Sequence, residues 1–165
     1  DGDRIFINGS RTALNILNHT GEKSVSVITN NGWAIGNDYP KGVTVNLTGG
    51  EMRGHLMVGE QVMRYLLSAR ADKTFVGCAA VYDDGEFRYD IPTEIGINES
   101  MIERTTGDIY VLADHTKLQR FEDRDSAYGS CIYEKPITLI TDERADADIV
   151  AKLKEKGMNV ITVSV

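Results

Sequence analysis

Five polar clusters in this chain each follow a short β-branched run, and their residue types suit an anionic ligand. In an open α/β sheet, the loops at the carboxyl ends of parallel strands converge on one edge and form a crevice there. We therefore expect the clusters to meet at one crevice, and at least four of them are rich in hydroxyls, amides, glycines or cations, which suits a small anionic ligand. The clusters are Asn8-Gly9-Ser10-Arg11-Thr12, Thr29-Asn30-Asn31, Thr48-Gly49-Gly50, Asp114-His115-Thr116-Lys117 and Thr141-Asp142.

The first cluster is a candidate phosphate site. It joins a predicted strand to a predicted helix, so the free amides of the first helical turn face the loop, and Arg11 can make a two-pronged contact with a phosphate. The alternative is an ordinary turn in which Ser10 or Thr12 caps the helix. The cluster is neither a Walker A loop nor a G-x-G-x-x-G motif, so we expect no nucleotide cofactor.

The later clusters offer complementary groups. The amide of Asn30 suits sugar hydroxyls, and Gly49-Gly50 lets the backbone approach a ligand closely. Lys117 leaves the carboxyl end of a strand, where an ammonium can act as a point charge on phosphate. Each cluster also has a structural alternative: Asn is a common cap and turn residue, paired glycines make tight turns, and Lys117 can be a solvated surface residue.

Other chemistries find little support in the sequence. The histidines and cysteines lack metal-ligand spacing, and there is no G-x-S-x-G elbow for acyl transfer. Cys78 and Cys131 are expected to be free thiols in a reducing cytosol. Trp33 and Phe75 are expected in the core.

Composition indicates one acidic globular domain, 1–165. The chain has 165 residues, 41% of them hydrophobic and 26% charged, with a net charge of −7. This balance argues against direct binding of nucleic acid, which needs clustered cations. We expect no signal peptide and no membrane span. The start, Asp1-Gly2-Asp3 directly before an apolar run, is interpreted as the start of a fragment.

Hydrophobic periodicity predicts strands that alternate with helices, and hence an α/β fold with a largely parallel sheet and helices on both faces. Residues 79–93 lack periodicity, and we expect this long connection to be functional and to close over a ligand. The predicted strands are 4–7, 24–28, 43–47, 73–76, 109–113, 137–140 and 159–165; the predicted helices are 12–17, a segment through 33–35, 59–69, 94–104 and 145–156.

The order of these motifs resembles the C-terminal sensor domain of the DeoR family of bacterial transcriptional regulators. The resemblance covers essentially the whole chain. It rests on the polar loop after the first strand, Val27-Ile28-Thr29-Asn30, Leu47-Thr48-Gly49-Gly50, Gly59, Phe75-Val76-Gly77, Ala113-Asp114-His115-Thr116-Lys117 and Thr138-Leu139-Ile140-Thr141-Asp142.

The resemblance implies a Rossmann-like domain of the type shared with ribose-5-phosphate isomerase and glucosamine-6-phosphate deaminase. It implies a cytoplasmic, homo-oligomeric repressor of carbohydrate metabolism that binds a phosphorylated sugar or related metabolite and needs no cofactor. DNA would be bound only through an N-terminal helix-turn-helix domain upstream of Asp1, absent from this chain.

The first loop departs from the family pattern, which usually has Asp, Gly and then Ser/Thr-Thr. This chain has Asn8, Ser10 and Arg11 at the corresponding places and keeps Thr12. Arg11 adds a charge that the usual loop lacks, which indicates an altered effector.

A ligand-binding set follows from the loops and the resemblance together. The phosphate is expected to meet Ser10, Arg11, Thr12 and Lys117, and the hydroxyls to meet Asn30, Gly50, Glu94 or Asp114; no catalytic or metal-binding residue is expected. The full set is Asn8, Gly9, Ser10, Arg11, Thr12, Thr29, Asn30, Gly49, Gly50, Glu94, Asp114 and Lys117.

The alternative is a sugar-phosphate isomerase or deaminase on the same scaffold. Glu94, Asp114 and Lys117 would then move a proton and stabilise an enediolate oxygen. The chain lacks an acidic cluster of the Asp-Gly-Ala-Asp type that resembles that of the isomerases, so the sequence favours a sensor over an enzyme.

Overall fold

The computed structural model describes residues 1–123 and 130–165. In chain order, its strands and α-helices are β1 (Asp3–Ile7), α1 (Arg11–Leu14), β2 (Val25–Thr29), β3 (Val43–Leu47), β4 (Glu51–Arg53), β5 (Leu56–Val58), α2 (Glu60–Ser68), β6 (Lys73–Gly77), β7 (Ala80–Tyr82), β8 (Phe87–Arg88), α3 (Pro92–Glu103), β9 (Ile109–Leu112), β10 (Leu118–Gln119), β11 (Ser130–Cys131), β12 (Thr138–Asp142), α4 (Ala147–Glu155) and β13 (Asn159–Val163). Short 3-10 helices are Asn15–His19, Gly32–Ala34, His115–Lys117 and Phe121–Asp123.

Seven strands form one parallel sheet in the order β3-β2-β1-β6-β9-β12-β13. The chain therefore builds outward from β1 to β3, returns to β6 beside β1, and continues in the opposite direction. The order reverses between β1 and β6, and ligands of open α/β sheets bind outside the carboxyl ends of the strands at such a reversal.

Helices cover both faces of this sheet because alternate residues of each strand face opposite sides. Ile5 and Ile7 of β1 pack with Leu14 of α1, whereas Phe6 between them packs with Leu66 of α2 and Met101 of α3. Helix α4 lies against the continuation of that second face, over β9 and β12. The predicted fold class, a Rossmann-like α/β domain, is confirmed.

Two predicted helices are shorter than expected. The helix expected at 12–17 is one turn of α-helix, α1, followed by a 3-10 helix. The segment through 33–35 is a single 3-10 turn, capped by the Asn31 side chain, which accepts a hydrogen bond from the Trp33 amide. Ile35 is already extended, and Gly36 at φ 79° keeps the chain from continuing as a helix.

The region 79–93, expected to be irregular, contains two strands. Strands β7 and β8 belong to a four-stranded sheet of order β10-β7-β8-β11, which the seven-stranded sheet does not include. Strands β4 and β5 form a separate hairpin that the sequence did not predict. Strands of two or three residues are too short for hydrophobic alternation to reveal them.

Asp83 ties the small sheet to the main layer. Its carboxylate accepts hydrogen bonds from the Lys152 ammonium of α4 (2.6 Å) and from the Phe121 amide (2.8 Å). The hydrogen bond from Lys152, with that from Phe121, outweighs burial and lowers the pKa of Asp83. The structure buries the Asp83 side chain.

Both cysteines are free thiols; Cys78 is buried and Cys131 is half-buried. No helix in the described part of the chain is long and apolar enough to cross a bilayer.

Candidate functional site

A cavity of about 510 Å³ opens at the reversal point of the main sheet. Its volume lies within the usual range for small-molecule sites. The loops after β1, β2, β6 and β9 contribute to it, together with the β4–β5 hairpin and the segment that enters α3. The lining residues are Gly9, Ser10, Arg11, Trp33, His55, Leu56, Gly77, Cys78, Ala79, Arg88, Tyr89, Asp90, Ile91, Glu94 and Lys117.

Asn8 fixes the two central loops against each other. Its side-chain amide donates to the carbonyl of Gly77 (2.9 Å), and its side-chain oxygen accepts from the amides of Gly77 (3.0 Å) and Ser10 (3.2 Å). The side chain is buried, so it supports the cavity from behind and does not line it. A buried amide with these partners holds the loop after β1 in one place.

Two glycines allow close packing around this bridge. A Cβ at Gly77 would overlap the Ser10 side chain, and a Cβ at Gly9 would overlap Leu56 of the hairpin. His55, next to Leu56, places its Nε2 atom 3.2 Å from the carbonyl oxygen of Gly9. The hairpin is therefore seated on the loop after β1 and forms one side of the cavity.

Ser10 and Arg11 begin α1 at the cavity. Ser10 is the N-cap, and its hydroxyl oxygen accepts a hydrogen bond from the Ala13 amide at 3.2 Å. The guanidinium of Arg11 lies 4.2 Å from the centre of the Trp33 ring. This cation–π contact orients Arg11 without neutralising its charge.

Trp33 corrects a sequence-based expectation. It was expected in the core, but it is 45% exposed and lines the cavity, with its ring 5.5 Å from that of His55. Phe75, the other aromatic expected in the core, is half-buried and stacks on Tyr110 at 5.1 Å.

Lys117 reaches the cavity from a braced 3-10 turn. Asp114 caps the turn by accepting hydrogen bonds from the amide (2.9 Å) and hydroxyl of Thr116. Asp142 accepts from the amide of His115 at 2.7 Å, and its carboxylate lies 3.0 Å from Nδ1 of the same residue. Burial opposes ionisation of Asp142, but hydrogen bonds from His115 and Arg144 outweigh it and hold its pKa well below the usual value.

Glu94 contributes a carboxyl from the first turn of α3. Burial, reinforced by the negative charge of Asp90, raises its pKa from 4.5 to about 7. A glutamic acid that titrates near neutrality inside a cavity is a functional-site signal. Asp90 itself is exposed and pairs with Arg88 at 3.3 Å.

Two further lining residues are packed into the protein. Tyr89 is buried, and its hydroxyl is 2.6 Å from that of Tyr133. Burial raises the pKa of the Cys78 thiol to about 12, so this cysteine is a neutral side chain at physiological pH.

Five of the predicted ligand-binding residues line the cavity together. They are Gly9, Ser10, Arg11, Glu94 and Lys117. Ser10 and Lys117 come from strands on either side of β6, so the structure brings together the two loops on which the prediction depends. Whether these residues contact a ligand stays a prediction.

The other predicted residues do not line this cavity. Asn8 supports it from behind. Thr12 lines a different cavity, with Ile5 and Phe75, on the α1 face of the sheet. Asp114 is used as the cap of the Lys117 turn.

The second and third polar loops also serve the structure. The hydroxyl of Thr29 accepts from the amide of Asn31, and the side-chain amide of Asn30 donates to the carbonyl of Met57. Gly49 and Gly50 have positive φ angles of 71° and 110°, and Gly50 packs against the backbone of Val58. These two polar clusters hold the β4–β5 hairpin and do not line the cavity.

Sequence reasoning did not identify the lining residues outside the loops after β1 and β9, apart from Glu94. Gly77 was detectable, because it follows a predicted strand just as Gly9 does. Trp33, His55 and the segment 88–91 gave no such signal, since they lie on short elements. Among the described residues, no group of three His, Cys, Asp or Glu side chains is placed to hold a metal ion.

The sequence profile of the DeoR C-terminal sensor domain matches residues 1–143. This match includes every loop that lines the cavity. The chain belongs to this family. The predicted relationship is thereby confirmed, and the DeoR sensor domain is a regulatory, effector-binding unit. No curated protein sequence matches the chain significantly.

Solved structures show the same fold as this DeoR sensor domain. eIF2B beta from Chaetomium thermophilum aligns with a TM-score of 0.51 and 17% identity, over 79% of this chain and 42% of that chain. eIF2B delta from the same organism aligns with a TM-score of 0.51 and 15% identity, over 80% and 46%. The chain spans less than half of either structure, and at these identities the likeness establishes the fold alone.

Proposed function

We propose that this DeoR sensor domain binds a phosphorylated sugar or a closely related metabolite in the cavity at the reversal point. The cavity has the volume of a small-molecule site and is lined by two cations, Arg11 and Lys117, together with polar groups. As part of a full-length regulator, the domain would pass the binding event to a DNA-binding domain.

The observation that carries this proposal is the pair of cations, Arg11 and Lys117. Both line the cavity, and neither forms a salt bridge with a carboxylate among the described residues. Arg11 is held over Trp33, and the backbone that carries Lys117 is a braced turn, so the loops that bear both charges are fixed before a ligand arrives. Preorganised cations of this kind suit a phosphate group, which accepts charge-assisted hydrogen bonds.

Regulation needs no chemical turnover. A ligand that binds one conformation of the domain better than another shifts the balance between them. A coupling free energy of about 1–3 kcal/mol suffices to change affinity at a second site.

Calorimetry with a panel of pentose and hexose phosphates tests the proposal. The double variant Arg11→Ala/Lys117→Ala removes two charge-assisted contacts, and we expect it to weaken binding at least 100-fold. The charge-matched control is Arg70→Ala/Lys154→Ala, whose two side chains are exposed and away from the cavity. Retained affinity in the cavity variant, or equal loss in the control, would contradict the assignment.

An isomerase or deaminase is the second candidate, favoured by Glu94. A carboxyl with a pKa of about 7 in a cavity is suited to proton transfer. Asp114, the other predicted acid, instead caps its own turn. Interconversion of sugar phosphates by the purified domain, abolished by Glu94→Gln, would support the enzyme; its absence with intact binding supports the sensor.

Further parts of the proposal rest on the family. They are repression of genes for carbohydrate metabolism, action in the cytoplasm, self-association, and DNA binding through a separate N-terminal domain of the regulator. Release of operator DNA by the full-length protein, on addition of the sugar phosphate that binds best, is the expected result for a repressor. Tighter DNA binding would indicate an activator.

A further inference from the structure

The cavity holds charges of both signs that do not neutralise each other. Arg11, Lys117 and Glu94 all line it. No ion pair joins Glu94 to either cation within the described chain, and Asp90 is the charged neighbour that shifts its pKa. A cavity built for an anion alone gains nothing from such a carboxyl.

Glu94 is held in place by the start of α3. Pro92 occupies the first helical turn, and the Glu94 amide donates to the carbonyl of Ile91 at 2.9 Å. Its carboxyl lies beside Gly9, so close that a Cβ at Gly9 would be 3.2 Å from Oε1. A backbone hydrogen bond from Ile91 stabilises the ionised carboxyl, but burial and Asp90 outweigh it, so a complementary ligand group would recover the free energy that burial costs.

The groups that face Glu94 come from every element around the cavity. Asp90, which pairs with Arg88, lies on the segment that leads into α3, the helix of Glu94. Tyr89, between these two residues in the sequence, is buried. His55 comes from the hairpin, Cys78 from the loop after β6, Arg11 from α1 and Lys117 from the turn after β9.

Resting on the proposed function, we propose that the preferred ligand is an amino sugar phosphate, with its phosphate at Arg11 and Lys117 and its ammonium at Glu94. Such a ligand carries one group for each uncompensated charge of the cavity. A sugar phosphate without an amino group satisfies the cations but places an anion near the carboxylate of Glu94.

The two ligand classes differ in proton exchange. An ammonium favours the ionised form of Glu94, so its binding near pH 7 releases a proton from that carboxyl. A ligand with only a phosphate disfavours the ionised form, so its binding takes up a proton there. By the same linkage, ionisation of Glu94 weakens the binding of sugar phosphates that lack an ammonium as pH rises through 7.

The test compares glucosamine 6-phosphate with glucose 6-phosphate at pH 7.0 by calorimetry. The two ligands differ in one group, an ammonium in place of a hydroxyl. We expect the amino sugar to bind wild-type protein roughly tenfold tighter, the range of a charge-assisted hydrogen bond. Glu94→Gln should remove this preference, and Glu99→Gln, an exposed change on the same helix, should keep it.

Proton counting provides a second measurement on the wild type alone. Titrations in buffers of different ionisation enthalpy report the protons exchanged, and the amino sugar should release more than glucose 6-phosphate. Equal affinity and equal proton exchange for both ligands would overturn the inference and leave the sugar-phosphate site standing. If neither ligand binds while another sugar phosphate does, the inference also fails. If no sugar phosphate binds, the proposed function fails with it.

Discussion

The cavity has two walls of different construction. The scaffold wall, formed by Gly9, Ser10 and Gly77, sits on adjacent strands of the parallel sheet and is bridged by buried Asn8. The inserted wall, residues 88–94, runs from the last residue of the short strand β8 into the first turn of α3. The scaffold wall is held by hydrogen bonds between the Asn8 side chain and the backbone. The inserted wall carries the charged side chains Arg88, Asp90 and Glu94.

The difference shows how one fold accommodates different ligands. A wall made of glycines and backbone amides accepts an anion in general terms but offers few side chains for discrimination. The inserted wall contributes both carboxylates of the cavity and the Arg88–Asp90 pair. Function is grafted onto the fold by such segments, so we place ligand choice in the inserted wall.

Breaking the scaffold wall should have the largest effect. Gly77→Ala forces a Cβ into the Ser10 side chain, and we expect a loss of about 2 kcal/mol in unfolding free energy together with loss of sugar-phosphate binding. Urea denaturation and calorimetry measure the two effects. Gly96→Ala is the matched control, because a Cβ there meets no atom within 4 Å and alanine favours the helix. Equal stability of the two variants would contradict a tightly packed scaffold wall.

The inserted wall should show itself in the pH dependence of stability. Because the pKa of Glu94 is raised in the folded protein, the folded state keeps a proton that the unfolded chain releases. Stability should therefore fall as pH rises from 4.5 to about 7, by about 1 kcal/mol after allowance for partial exposure.

Glu94→Gln should flatten this decline, and Glu99→Gln should leave it unchanged. Chemical denaturation at intervals between pH 4.5 and 8 provides the measurement. Each variant loses one glutamate of the same helix, so the difference between the two curves isolates Glu94. Parallel curves would show that Glu94 ionises normally.

The smallest effect is expected at Trp33, the lining residue that supports Arg11. Trp33→Leu removes the ring beneath Arg11 but keeps an apolar side chain, and we expect sugar-phosphate affinity to fall roughly two- to fivefold. Trp33→Phe, which keeps an aromatic face, should lose less. Identical affinity in both variants would mean that Arg11 is oriented by something other than the indole.

The sequence predicted the scaffold wall well and the inserted wall poorly, for physical reasons. Long alternating strands reveal themselves by periodicity, so the sheet and the loops after β1 and β9 were placed correctly. Strands β4, β5, β7 and β8 are two or three residues long, which is too short for hydrophobic alternation to mark them. Trp33 was misjudged because hydrophobicity alone does not distinguish a core indole from one that supports a cation.

Polar residues after strands were also ambiguous. Ser10 and Lys117 line the cavity, whereas Thr29 and Asn30 hold the hairpin through backbone hydrogen bonds. Both uses need the same residue types at the same position. Only the tertiary arrangement, which brings Met57 next to Asn30, separates them.

Trp33 gives this protein a built-in optical probe. It is the sole indole in the sequence, and the Arg11 guanidinium lies directly on its ring. Any occupant that draws that cation toward itself alters the electric field at the fluorophore. Emission from unlabelled protein can therefore report occupancy in real time, including for ligands that release too little heat to titrate.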